Sequence, residues 1–219
     1  DIQTIEEYGM HHRSIETSVG TSCGLPMDCI FCGQCAIYCP TAAIVEKDET
    51  KKLDELLNDK TKLKVLQVAP SVRFTIGESF GYEPGDNVEK KVAKALRELG
   101  ADLVFDTTFS ADLTIMEEAH ELVERLGKFL AGDKDVKIPM FTSCCPSWVL
   151  YMEKYWPKYL GHLSSAKSPM QMLGAVVKTF YCEKKKLNKQ SVANIAVMPC
   201  TSKKFEAQRE EMGRDGLKD

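Results

Sequence analysis

From Leu63 onward, short apolar runs alternate with stretches whose apolar residues recur at helical spacing, the pattern of a parallel sheet with covering helices. Val65 to Ala69 reads as a short strand. Asn87 to Leu99 reads as an amphipathic helix with Val88, Val92, Ala95, Leu96 and Leu99 on one face, and Gly100 is placed to stop it. Asp102 to Asp106 is the next predicted strand. A helix capped by Ser110 or Asp112 then runs to about Leu130, followed by a strand over Ile138 to Thr142 and a helix from Ser147 to Tyr155. Ser168 is placed to cap a further helix with Pro169 at its first position, turning Met172, Leu173, Val176, Val177 and Phe180 inward. Val192 to Val197 is the last clear strand.

The pattern before Leu63 differs. Residues 1 to about 46 lack any long apolar period and are rich in Gly, Cys and polar residues, as expected of a small domain organised by metal. Residues 47 to 62 are highly charged, with Leu53, Leu56 and Leu57 at helical spacing, and read as a connecting helix. The predicted organisation is therefore a partial iron-sulfur segment (1–46), a connecting helix (47–62) and an α/β domain (63–219).

With 219 residues and 43% hydrophobic content, the chain can bury one good core plus a small appendage. A net charge of −3 gives no electrostatic case for nucleic acid or an anionic membrane. No apolar run approaches the ~20 residues that span a bilayer, and Asp1-Ile2-Gln3-Thr4 carries no leader pattern. Nine cysteines are many, and five of them fall between positions 23 and 39 with metal-ligand rather than disulfide spacing. A reducing, cytoplasmic compartment is expected.

Three segments carry candidate chemistry. Cys29, Cys32, Cys35 and Cys39, followed by Pro40, have the spacing of a bacterial ferredoxin run, in which closely spaced thiolates hold a 4Fe-4S cube. A structural zinc site would use two separated Cys pairs. The fourth cysteine of such runs often serves a neighbouring cluster, so Cys39 points to a second cube. Cys23 is either a further ligand or a structural cysteine. Further along, Cys144 and Cys145 are adjacent, and two neighbouring cysteines do not comfortably ligate one metal, which suggests two different jobs. Cys200 forms a third site. Pro70-Ser71, Cys144-Cys145 and Pro199-Cys200 each fall just beyond a predicted strand, where an open α/β sheet gathers distant segments into one crevice.

Thr142-Ser143-Cys144-Cys145-Pro146-Ser147-Trp148 resembles the first active-site signature of FeFe hydrogenases, and Met198-Pro199-Cys200-Thr201-Ser202-Lys203-Lys204-Phe205-Glu206 resembles the second. Ala69 to Arg73, Phe109 to Glu118 and Leu163 to Pro169 are similar to the same family, so the resemblance covers nearly the whole chain. It implies reversible conversion of protons and electrons to H2 at an H-cluster, a 4Fe-4S cube joined to a diiron unit with CO, cyanide and dithiolate ligands. Electrons would arrive through ferredoxin-type 4Fe-4S clusters from ferredoxin or NAD-linked subunits. By resemblance, Cys145 and Cys200 are cube ligands and Cys144 is the thiol that passes protons to the diiron bridge. Lys203 would hydrogen-bond a cyanide, Pro70, Ser71 and Ser168 would surround the diiron unit, and Met198 would pack beside it.

Glu118, Glu121 and Arg125, with Ser164, resemble the family's proton relay. Their spacing places the three helical residues within a sector of about 60°, with Glu118 bordering an apolar stripe of Ile115, Leu122 and Leu126. A carboxylate pushed toward a core has a raised pKa, which suits proton handling. Periodicity alone favours a solvated face with ion pairs; the resemblance favours the relay. The family's third signature, which supplies two more cube cysteines, does not occur before Asp219, so the chain reads as a fragment lacking that signature and a preceding cluster motif. It is not expected to be active alone. A non-catalytic assembly scaffold is the competing function, and Cys144 and Lys203 discriminate, because a scaffold needs neither a proton-delivering thiol nor a cyanide-binding cation.

Overall fold

The computed structural model describes residues 8–21, 28–214 and 217–218. Cys23 lies outside the described residues. In chain order the elements are β1 (Tyr8–His11), β2 (Ser18–Thr21), α1 (Gln34–Tyr38), α2 (Thr50–Asn58), β3 (Leu63–Val68), α3 (Val72–Thr75), α4 (Glu89–Glu98), β4 (Leu103–Asp106), α5 (Thr107–Leu130), α6 (Pro146–Tyr155), α7 (Pro169–Val176), α8 (Cys182–Lys185), β5 (Val192–Val197) and α9 (Ser202–Glu206). β1 and β2 form an antiparallel pair.

The sheet that organises the larger part is parallel, in the order β4-β3-β5. β3 is central and covered on both faces, so its successive residues Val65 and Leu66, which point to opposite faces, are both fully buried. Gln67, in the same strand, is buried too, and its amide is satisfied by donation to Met170 O at 3.0 Å and acceptance from Thr107 Oγ1 at 3.3 Å. The main core packs Val65 and Val192 against Leu173, Val177 and Cys182, with Leu103 and Phe105 at its edge. α2 is shorter than the charged stretch that contains it; its Leu53, Leu56 and Leu57 are half-buried.

Three sequence expectations are corrected. α5 begins at Thr107, three residues before Ser110, because Asp106 ends β4 and caps the helix at once, its carboxylate accepting from Thr108 N at 2.9 Å. The strand expected over Ile138 to Thr142 reduces to a single parallel bridge between Phe141 and Leu163. Pro139 has no N–H to give to a ladder, and pairing is limited to Phe141 N donating to His162 O and Ser164 N to Phe141 O, both 2.7 Å.

The third correction concerns which face of α5 packs inward. Ile115, Leu122 and Leu126 are 63%, 38% and 40% exposed, so that apolar stripe does not face the core of the described chain. The buried line is Thr107, Ser110 and Thr114. Their small side chains satisfy themselves within the helix, Ser110 Oγ on Thr107 O and Thr114 Oγ1 on Ser110 O, and allow α7 to approach closely. Phe180 likewise stays outside, whereas Leu173 and Val177 turn in as expected.

Candidate functional site

The ends of β3 and β5 stay paired up to the crevice, since Ala69 N donates to Val197 O at 3.0 Å. Pro70-Ser71 and Met198-Pro199-Cys200 therefore leave the sheet side by side. Ser71 is exposed and its carbonyl starts α3, accepting from Phe74 N and Thr75 N; Met198 is half-buried. The Phe141–Leu163 bridge and Ser143 Oγ donating to Ala166 O at 2.8 Å run the segment that leads to Cys144-Cys145 alongside residues 163–166. Cys145 is the residue before Pro146, the first residue of α6, and its thiol makes no capping bond. Cys200 is exposed, with its sulfur 3.0 Å from Ser202 Oγ.

Lys203 joins the segments. Its ammonium donates to Cys144 O at 2.9 Å and to Glu206 Oε2 at 3.0 Å, and its side chain is largely enclosed. Cys144 belongs to the exposed residues, yet its thiol is crowded enough that burial pushes its pKa up; the Lys203 charge opposes that rise, and Glu118 and Cys145 reinforce it. The thiol form is thus favoured near neutrality. Glu118 comes within electrostatic reach of Cys144, and its Oε1 is buried without a hydrogen-bond partner among the described residues.

Ser164, Glu121 and Arg125 form a continuous hydrogen-bonded chain. Ser164 Oγ donates to Glu121 Oε2 at 2.7 Å, joined there by Ser165 N at 3.0 Å, while Arg125 donates to Oε1 from Nη2 at 2.6 Å and Nε at 3.1 Å. Burial alone would raise the Glu121 pKa, but Ser164, Arg125 and Ser165 N outweigh it and hold the carboxyl below its ordinary range. Arg125 also reaches Gly161 O and Leu163 O, at 3.1 and 2.8 Å, and so ties α5 to the loop carrying Ser164.

The cysteine-rich segment docks beside Cys200. Asp28 pairs with Lys154 at 2.6 Å, which lowers the Asp28 pKa, and Lys154 also donates to Cys29 O. Phe31 stacks on Phe205 with centroids 4.8 Å apart, and Gly33, at φ +79°, lies so close to Thr201 that a Cβ there would sit 2.7 Å from its Oγ1. Lys204 reaches Lys47 O. Cys29, Cys32, Cys35 and Cys39 are free thiols, but no three His, Cys, Asp or Glu side chains among the described residues converge as a metal site. This segment buries one large apolar residue, Ile30, and has little core to draw the loop together. The donor set itself fits thiolate ligation. At Cys39, donation from Thr41, together with backbone N–H groups of Ile44, Thr41 and Ala43, lowers the thiol pKa to about 7.

Residues 62–219 match the family described as "Iron only hydrogenase large subunit, C-terminal domain", and residues 26–45 match "4Fe-4S binding domain". The chain belongs to the iron-only hydrogenase family. It is 48% identical over 191 residues to the NADP-reducing hydrogenase subunit HndD of Solidesulfovibrio fructosivorans, a match covering 87% of this chain and 33% of that protein. It superposes on an apo form of [FeFe]-hydrogenase HydA1 from Chlamydomonas reinhardtii with a TM-score of 0.72 and 42% identity, over 77% of this chain and 42% of that one. A non-hydrogenase relative, cytosolic iron-sulfur assembly component 3 of Bos taurus, is 34% identical over 190 residues, 83% of this chain and 39% of its own length. The chain spans about a third to a half of the curated relatives it matches. Family membership brings 4Fe-4S clusters and the H-cluster as the cofactors. Among the described residues, no helix is long and apolar enough to cross a membrane.

Sequence reasoning gave Glu206 no role, although it is buried at the centre of the Lys203 and Ser168 contacts. The available signal was its i,i+3 spacing from Lys203, which makes an ion pair on one helix face. The Phe31–Phe205 stack joins residues 174 positions apart in sequence and left no local trace.

Proposed function

We infer that this chain carries the first half of the active site of an FeFe hydrogenase, which interconverts protons, electrons and H2. The observation that carries the reading is Lys203 Nζ held on Cys144 O, which puts a cation beside the Cys144 thiol, with Glu118, whose Oε1 is buried and unpartnered among the described residues, within electrostatic reach of that thiol. When bound, the H-cluster supplies the two-electron chemistry. Cys145 and Cys200 would hold its cube, and Lys203 would give a charge-assisted hydrogen bond to a cyanide. Pro70, Ser71, Met198 and Ser168 shape the surrounding wall.

Cys144 passes the proton. Its supply runs from Glu121 through Ser164 to Glu118, with Arg125 holding Glu121 in place, and the Arg125–Glu121–Ser164 hydrogen bonds support the first part of that order. Glu121, already ionised at neutral pH, serves as the acceptor that keeps Ser164 oriented. The segment 1–46 would deliver electrons through the 4Fe-4S clusters that Cys29, Cys32, Cys35 and, for a neighbouring cube, Cys39 would ligate, and its docking beside Cys200 supports a short path into the site. Ferredoxin or NAD-linked subunits are the proposed donors, in keeping with the relative named as an NADP-reducing hydrogenase subunit.

A second reading, a cluster-carrying assembly factor, is favoured by the relatives named cytosolic iron-sulfur assembly component 3. Cys144 and Lys203 speak against it, because that work needs neither a proton-delivering thiol nor a cyanide-binding cation. The two are separated by treating the full-length protein with a synthetic diiron complex: a hydrogenase takes it up and evolves H2 from reduced viologen, and an assembly factor does neither.

A further inference from the structure

We propose that Glu206 is a positioning residue that fixes Lys203 and Ser168 toward the H-cluster crevice from behind. The proposal rests on the hydrogenase reading for what the crevice holds. The residue is 3% exposed, and one carboxylate oxygen, Oε2, receives both Lys203 Nζ and Ser168 Oγ at 3.0 Å. Such a buried carboxylate persists only where its partners are fixed. Here they come from two elements, α9 and the start of α7, so Glu206 ties the Cys200 segment to the Ser168 turn.

Counting donors shows what the tie does. A lysine ammonium has three N–H groups on a flexible four-carbon stem. Glu206 and Cys144 O take two of them, which fixes the stem and leaves one donor for an acceptor in the crevice. Ser168 has a single O–H, given to Glu206, and its oxygen accepts from Gln171 N at 3.4 Å at the start of α7. Ser168 therefore has no proton to spare for a ligand while Glu206 holds it. Its contribution in this geometry is to cap α7 and anchor Glu206; the direct donor to the crevice is Lys203.

The test is Glu206→Gln in the full-length protein, read in two ways. An amide keeps the shape but loses the charge, leaving Lys203 a neutral carbonyl acceptor in place of an ion-pair partner. In the unloaded protein, acylation of Lys203 by a lysine-reactive label, followed by mass spectrometry, is expected to be several-fold faster in the variant. After diiron loading, the cyanide infrared bands are expected to shift relative to wild type, with diiron retention lower by roughly tenfold, the weight of one hydrogen bond to a charged group. Unchanged Lys203 labelling, or faster labelling with unshifted cyanide bands, overturns the proposal, even if the variant melts lower. Should Glu206→Gln fail to fold, Glu206→Asp keeps the charge but is one methylene short, and the same readouts are expected to move less in the same direction. If the wild type itself takes up no diiron complex, the hydrogenase reading fails and the labelling result alone decides whether Glu206 fixes Lys203.

Discussion

Arg125 ties the proposed relay to the fold, and removing it has a calculable cost. Its guanidinium gives two bonds to Glu121 Oε1 and one each to Lys137 O, Gly161 O and Leu163 O, with both side chains of the ion pair 19% exposed. Exposed pairs contribute about 0.2–1 kcal/mol, and breaking a fully buried one costs about 3–5 kcal/mol. At this intermediate burial Arg125→Ala is expected to cost about 2–3 kcal/mol. For a cooperative unit of this size that lowers Tm by roughly 5–10 °C. Arg125→Lys keeps the charge but offers a point donor in place of a fork, which cannot serve Glu121 and these carbonyls together, so about half the loss remains. Because Glu121 titrates lower in the fold than in the unfolded chain, its contribution is complete above the ordinary glutamate range, near pH ~4.3. It is lost as pH falls through the depressed folded value, so the gap between wild type and Arg125→Ala should close at acid pH. Thermal unfolding of the unloaded full-length protein and both variants, across pH, measures all of this. If Arg125→Lys melts with wild type at neutral pH, the fork geometry is not what joins α5 to the 161–164 loop.

Cys144→Ala should leave cluster content and diiron infrared bands near wild type while reducing H2 evolution by about 10²–10⁴-fold, the weight of one positioned proton donor. Normal turnover would remove Cys144 from the proton path. Lys203→Asn should load the 4Fe-4S cube but lose the diiron bands on washing, as checked by infrared spectroscopy beside iron analysis; bands that survive would remove the cyanide contact. Gly33→Ala combines a positive φ with a Cβ only 2.7 Å from Thr201 Oγ1, so the cysteine-rich loop must shift away from the Cys200 segment. Rapid-mixing experiments should then show slower reduction of the H-cluster through the loop cluster, and an unchanged rate would refute the docking as an electron path.

Much of the sheet was legible because β3, β4 and β5 are short runs rich in strong β-formers, and the Ser168-Pro169 start of α7 follows from cap chemistry alone. The cysteine segments were legible as chemistry, since thiol spacing carries a metal signature without any fold. What the sequence hid was direction. α5 has apolar residues on several faces, and the choice to bury Thr107, Ser110 and Thr114 was made by close approach to α7, a tertiary contact that no helical period encodes. That choice also turns Glu121 and Arg125 toward the Ser164 loop. The strand at 138–142 was overestimated because its apolar residues fit a strand while its partner segment offers only one pairing position. Glu206 was hidden for a similar reason, its value residing in Ser168, 38 residues upstream.

The most direct measurement is an infrared spectrum of the full-length protein after treatment with a synthetic diiron complex, recorded beside an assay of H2 evolution from reduced viologen. CO and cyanide bands accompanied by gas are the predicted result. A protein that carries its 4Fe-4S clusters but shows neither bands nor gas would contradict the hydrogenase reading and favour an assembly factor.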